Sequence, residues 1–201
     1  MHDPRPSREK IRNRLQAHQR QVQRRSGYRH AAVLIGLFEQ GGEWRLLLTR
    51  RTSDLPHHRG QIAFPGGSVD DGEDCIDTAL REAEEEIALL PSLVDVLGCH
   101  DDIWTPTGFV ISPVVGVIDS VADLEPNPFE VSRIFSVPLA YFTDEENAEP
   151  QILEHDGEER KVYFYRYDDE TIWGATALII RNFLHFLGLL PGDEHELQLQ
   201  A

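Results

Sequence analysis

Cysteine is nearly absent from this 201-residue chain. Only Cys75 and Cys99 occur, too few for a disulfide framework and without the spacing of a metal-binding cluster, so a reducing compartment is expected. Long apolar runs are missing too. None approaches the roughly 18 residues of a membrane span, and the polar N-terminus lacks the apolar core of a signal peptide. Positive charge is scarce: 19 Lys and Arg stand against 35 Asp and Glu, a formal net charge of −16. Such a field repels polyanions and argues against general binding to nucleic acid. The expectation is a cytoplasmic protein with no nucleic-acid and no membrane partner. With 40% hydrophobic and 27% charged residues, the composition is that of one globular domain with a modest extension.

The few basic residues are unevenly placed. Residues 1–30 hold nine of them and only two acids, Asp3 and Glu9, whereas the remainder has ten basic residues against 33 acidic ones. Ile11, Leu15 and Val22 fall near one helical face in a stretch without Gly or Pro, which predicts an amphipathic helix over residues 8–25 docked on the acidic body. The chain therefore divides into a basic N-terminal helical extension (1–30), a main domain (31–192) and a polar tail (193–201).

Within the main domain, apolar runs at 31–38 and 44–49 flank a Gly-Gly turn and read as a β-hairpin. Residues 61–64 form a short strand ending at Pro65-Gly66-Gly67. A helix follows from about Asp74 and runs through Ala88 until Pro91 stops it. Further strands are expected at 94–100, 109–118, 133–139, 151–155 and 161–167. Residues 172–190 make a final helix, apolar around most of its circumference. This order indicates a mixed α/β fold of the α+β type, not the regular alternation of a doubly wound sheet. The last helix has more apolar surface than one sheet face can bury, so a homodimer through it is expected; cover by residues 8–25 is the alternative.

The chemistry concentrates in residues 67–89. On a helix Glu82, Glu85 and Glu86 stand at i, i+3 and i+4, three like charges on one face. Solvated acidic helices tolerate this. Here, however, the strand and Pro-Gly-Gly turn can bring the Gly67 carbonyl beside those carboxylates, and hard oxygen ligands of this kind suit Mg²⁺ or Mn²⁺ together with substrate phosphates.

In register, Gly67, Glu73, Arg81, Glu82, Glu85, Glu86 and Leu89 resemble the Nudix hydrolase box G-x5-E-x7-R-E-U-x-E-E-x-G-U, U being a bulky apolar residue. Ala83 and Ala88 depart from it. The resemblance implies a Nudix α/β/α sandwich with a mixed central sheet, divalent ions held by Glu82, Glu85, Glu86 and the Gly67 carbonyl, and a Glu73–Arg81 pair bracing the loop. Glycine at position 88 would serve a helix-terminal turn with positive φ, so alanine there suggests that the helix runs on.

Upstream, residues 46–67 (LLLTRRTSDLPHHRGQIAFPGG) are similar to the signature LLTxRSxxLRxHxGxVxFPGG of Nudix enzymes that hydrolyse coenzyme A. Arg51, Leu55, His58, Gly60 and Phe64 match, while Thr52 and Pro56 replace Ser and Arg. The resemblance implies a small-molecule substrate, CoA or a thioester, cleaved at its pyrophosphate. Arg51 and His58 are the expected phosphate contacts, and Arg50 and Arg59 are further candidates, solvated surface being their simpler role. The proton acceptor is left among Glu82, Glu85 and Glu130, with Asp101 and Asp102 as weaker options. Another nucleotide diphosphate, such as ADP-ribose or NADH, or a non-catalytic nucleotide sensor, remains an alternative.

Overall fold

Both faces of the main sheet are covered, which is why its strands read as continuous apolar runs instead of alternating ones. The computed structural model describes residues 6–52, 60–155 and 157–191. In chain order the elements are α1 (Arg8–Ala17), β1 (Arg29–Gln40), β2 (Glu43–Arg51), β3 (Ile62–Ala63), β4 (Gly66–Ser68) and α2 (Cys75–Ile87). They continue with β5 (Val94–Cys99), β6 (Ile103–Thr105), β7 (Phe109–Ile118), β8 (Val131–Pro138) and α3 (Leu139–Thr143), then β9 (Ala148–His155), β10 (Glu158–Tyr167), β11 (Glu170–Ile172) and α4 (Gly174–Leu187).

The central sheet has the order β3-β2-β1-β7-β5, with β4 beside β1, β6 beside β7 and β8 beside β2. Its β1–β7 pair is parallel and the other pairs are antiparallel, so the sheet is mixed. Strand period sorts the side chains: Leu34, Phe38, Leu47, Val114 and Ile118 pack with Ala79, Ala83 and Ile87 of α2. Ile35, Leu37, Leu46, Leu48, Val115 and Val117 pack on the other face with α4 and with Ile11 and Leu15 of α1. The small antiparallel sheet β11-β10-β9 contributes Tyr165 and Ile172 to that second core. The result is the helix–sheet–helix sandwich expected, with the expected hairpin turning at Gly41 and Gly42, φ 62 and 80.

Two expectations are corrected. The N-terminal helix stops at Ala17 instead of reaching residue 25. Beyond it the acids of the β5–β6 loop compete for the backbone: Gln21 N–H donates to Asp101 (2.7 Å), Gln23 N–H to Asp102 (2.9 Å), and Asp102 N–H returns to the Gln21 carbonyl (3.0 Å). These bonds hold the segment extended. Second, α2 does not run on, because Ala88 adopts the left-handed conformation at φ 55. Its N–H reaches the Glu84 carbonyl (2.9 Å), Leu89 N–H reaches Ala83 (3.3 Å), and the buried Leu89 side chain anchors the turn.

The apolar surface of α4, on which the dimer expectation was based, is largely buried within the chain. Eleven of its residues are buried, among them Ile179, Ile180, Phe183, Leu184, Phe186 and Leu187. The second sheet takes one side, while His18 meets Phe186 edge-on at 5.2 Å and Arg14 lies 5.2 Å from the same ring. The basic segment is thus a cover for α4, as the alternative reading had it. Charge holds it in place: Arg12 pairs with Asp95 (2.6 Å) and Arg8 with Asp119 (3.0 Å). Elements not anticipated are β4, β6, β11 and α3, all of three to five residues. No helix among the described residues is long and apolar enough to cross a membrane.

Candidate active site

Helix α2 begins where Asp74 caps the N–H groups of Ile76 (2.8 Å) and Asp77 (2.9 Å). The chain reaches it through β4, where Gly67 pairs with Ala32 of β1. A Cβ at Gly67 would run into the Glu82 carboxylate, so glycine is what lets the backbone come this close. Arg81 braces the whole corner. Its Nε and Nη2 donate to the two oxygens of Glu73 (2.7 and 3.0 Å), and Nη2 also donates to the Ser68 carbonyl at 3.3 Å. Thr78 adds a hydroxyl bond to Glu73 at 2.8 Å. The Arg81 guanidinium, followed by Thr78, holds the Glu73 carboxyl down at about 2.

The three face carboxylates have different surroundings. Arg81 Nη1 donates to Glu82 (2.9 Å) and to the exposed Glu85 (3.2 Å). Glu86 is only 2% exposed. It accepts from Gly66 N–H at 3.3 Å, and Arg51 Nη1 lies 3.5 Å from its other oxygen. Burial pushes the Glu86 carboxyl up to about 7; Arg51 and Gly66 N–H oppose this, and the negative charges of Glu130 and Glu82 reinforce it. Glu82 is raised chiefly by burial as well, against Arg81 and with Glu85 and Glu130 adding. Glu130, ahead of β8, therefore acts electrostatically on the same face, its position fixed by Thr52 N–H donating to its carbonyl at 2.9 Å.

Among the described residues no three ligating side chains converge into a closed metal cage. Glu85 and Glu82 are both engaged by the single Arg81 Nη1, which takes up charge that a cation would otherwise balance. The donor set nevertheless fits a hard divalent ion: it is all oxygen, carries an excess of negative charge, and includes a buried carboxylate whose cationic neighbour among the described residues, Arg51, is 3.5 Å away.

A cleft of about 660 Å³ opens beside Arg51, lined also by Arg50, Gly60, Gln61, Ser132, Asp169, Glu170, Thr171 and Trp173. Arg51 belongs to both cleft and carboxylate face. Arg50 does not: its Nη1 pairs with the buried Glu170 (3.2 Å), which Arg133 also reaches at 2.9 Å, so its charge is spent on a structural cluster. Asp101 and Asp102 are likewise committed elsewhere, to His18 (2.7 Å) and Arg20 (2.6 Å) of the N-terminal segment. His58 and Arg59, with the rest of 53–59, lie outside the described residues. Sequence reasoning missed Trp173 as a cleft residue. It is 38% exposed and stacks on Phe164 at 5.5 Å, yet locally it reads as the start of an apolar helix.

Similarity to known proteins gives the family. The NUDIX domain family model matches residues 27–183. NudL, an uncharacterized Nudix hydrolase of Escherichia coli strain K12, is 38% identical over 181 residues, covering 89% of this chain and 94% of its own. Two solved structures are similar at 22% identity. The C. elegans Ap4A hydrolase binary complex has TM-score 0.49 and covers 56% of this chain and 81% of its own. The Nudix domain of Shewanella oneidensis NrtR with ADP ribose has TM-score 0.45 and covers 62% and 77%.

Proposed function

Because this chain belongs to the Nudix hydrolase family, we propose that it hydrolyses the pyrophosphate of coenzyme A or its thioesters, yielding 3′,5′-ADP and 4′-phosphopantetheine or its acyl derivative. One observation carries the choice of substrate. Arg51, the cation of the CoA-type signature, lies against Glu86 of the carboxylate helix and at the same time lines the cleft that Trp173 bounds.

Glu82, Glu85, Glu86 and the Gly67 carbonyl would hold Mg²⁺ or Mn²⁺. Once bound, the ion supplies charge neutralisation of the diphosphate and a more acidic attacking water. The chain's own residues do the rest. Arg81, locked by Glu73, positions Glu82 and Glu85. Arg51 offers its forked donors to a phosphate oxygen, a geometry that lysine cannot reproduce. Glu130, whose carboxylate has no ion-pair partner among the described residues, is the proton acceptor. Trp173, backed by Phe164, presents a platform on which the adenine ring can stack. In this reading residues 31–192 are the catalytic unit, and the basic extension serves as the cover of α4.

The test is a substrate panel with the full chain: CoA, acetyl-CoA, oxidised CoA, dephospho-CoA, ADP-ribose and NADH, each with Mg²⁺, with Mn²⁺ and with EDTA. CoA compounds should give the highest kcat/KM, and EDTA should abolish turnover. Preference for ADP-ribose or NADH overturns the substrate assignment. Binding without turnover in either metal overturns the assignment as an enzyme.

A further inference from the structure

Away from the carboxylate face, the only two cysteines of the chain meet. Cys75 is the first residue of α2 and Cys99 the last of β5, and their sulfurs are 3.4 Å apart. Both residues are partly exposed. The pair has a built environment. Arg20 Nη1 lies 3.5 Å from the Cys75 sulfur, and Arg20 is itself fixed by Asp102 (2.6 Å) and the Ser112 hydroxyl (2.9 Å). Cys75 directly follows the N-cap Asp74 and so sits at the positive end of the dipole of a 13-residue helix, whose next two N–H groups Asp74 caps. A guanidinium and a helix N-terminus favour a thiolate on one sulfur, and the neighbouring thiol can donate to it. Ordinary core cysteines have no such surroundings.

We propose that Cys75 and Cys99 form a peroxide-oxidisable dithiol site, with Cys75 as the attacking thiolate and Cys99 as the resolving thiol. The Cys75 thiolate attacks one oxygen of a hydroperoxide and the O–O bond breaks. Cys75 becomes a sulfenic acid, and the released oxygen leaves as water, or as an alcohol, after taking a proton. Cys99 then attacks the Cys75 sulfur. The S–S bond forms, the S–O bond breaks, and the hydroxyl leaves with the Cys99 proton as water. Two thiols and one peroxide give one disulfide and, with hydrogen peroxide, two waters. Closure requires the sulfurs to approach from 3.4 Å to about 2.05 Å, a side-chain movement.

The electrostatics run the same way. The hydrogen bond from Cys99, with Arg20 assisting against burial and Asp74, brings the Cys75 thiol down to about 6, while Cys99 is pushed up. The division of labour follows, since the lower-pKa sulfur is the nucleophile. The disulfide would tie the start of the carboxylate helix to β5. It would not touch Glu82, Glu85 or Glu86, which begin two turns further on.

Native full-length protein in EDTA is treated with stoichiometric hydrogen peroxide at pH 7 and followed by intact mass and free-thiol titration. The expected product is a monomer that has lost two hydrogens and both titratable thiols, with a 75–99 cross-linked peptide, reversed by dithiothreitol. In Cys99→Ser, Cys75 should stop at a sulfenic acid trapped by dimedone. In Cys75→Ser, Cys99 should remain reduced. Arg20→Gln should slow oxidation about tenfold at pH 7 but little at pH 9, where the thiol ionises unaided, and Arg20→Lys should restore part of the rate. If the native thiols survive peroxide and react only after unfolding, if Cys99 is trapped in the Cys75→Ser chain, or if the cross-link joins two chains, the proposal is wrong. Should Arg20→Gln fail to fold, the dimedone result on Cys99→Ser decides alone.

Discussion

Replacing Glu86 by Gln should separate metal binding from folding. In the metal-free protein the Glu86 carboxyl is raised from 4.5 to about 7, first by burial. The folded state thus holds this proton more tightly than the unfolded chain does. The sign follows: below about pH 4.5 the side chain costs nothing, and between about pH 4.5 and 7 stability falls as pH rises. Above that the full penalty is present. At about 1.4 kcal/mol per pH unit, the ceiling is about 3 kcal/mol at pH 8. Glutamine keeps an acceptor for Gly66 N–H but leaves Arg51 without its carboxylate, which returns part of the gain. A net stabilisation of about 1–2 kcal/mol remains, or about 2–8 °C in Tm for a chain of this size. Thermal melts in EDTA at pH 8 and pH 5 measure it: the mutant should melt higher at pH 8, and the two proteins should converge at pH 5. Mn²⁺ should then raise the wild type far more than the mutant, and turnover of the mutant should drop about 10³-fold. A mutant that melts below wild type in EDTA at pH 8, or turns over at the wild-type rate with saturating Mg²⁺, would refute the reasoning.

Three further outcomes are expected. Arg51→Ala should lower kcat/KM for CoA about 10–100-fold with a small change in Tm, and Lys should rescue only part of it; a chain that unfolds instead would make Arg51 a structural counter-ion of Glu86. Trp173→Ala should raise KM for CoA about 5–100-fold and leave kcat nearly unchanged, and equal KM values in steady-state assays would remove the stacking platform. Ala88→Gly should stabilise the protein by about 0.5–1 kcal/mol in urea titration, because the left-handed φ of 55 strains alanine and not glycine; a destabilised mutant would show that the turn is not held as described.

The carboxylate corner was legible because its residues are local in sequence. Helical spacing alone puts Glu82, Glu85 and Glu86 on one face, and Glu73 lies eight residues from the Arg81 that clamps it. The strand and helix order was legible for the same reason, since the apolar runs of β1, β2 and β7 and the long α2 and α4 carry their own periods. What tertiary structure decided is everything that depends on partners far along the chain. Asp101 and Asp102 stop the N-terminal helix at Ala17 by bonding to a backbone about 80 residues away, and no periodicity over 8–25 reports them. Glu170 spends the charge of Arg50 from 120 positions away. Trp173 looks like core until packing leaves one side of it at the cleft. The apolar circumference of α4 called for a cover, but its length could not distinguish a second chain from the same one. That choice rests on where Ile11, Leu15 and His18 land, which only the folded topology determines.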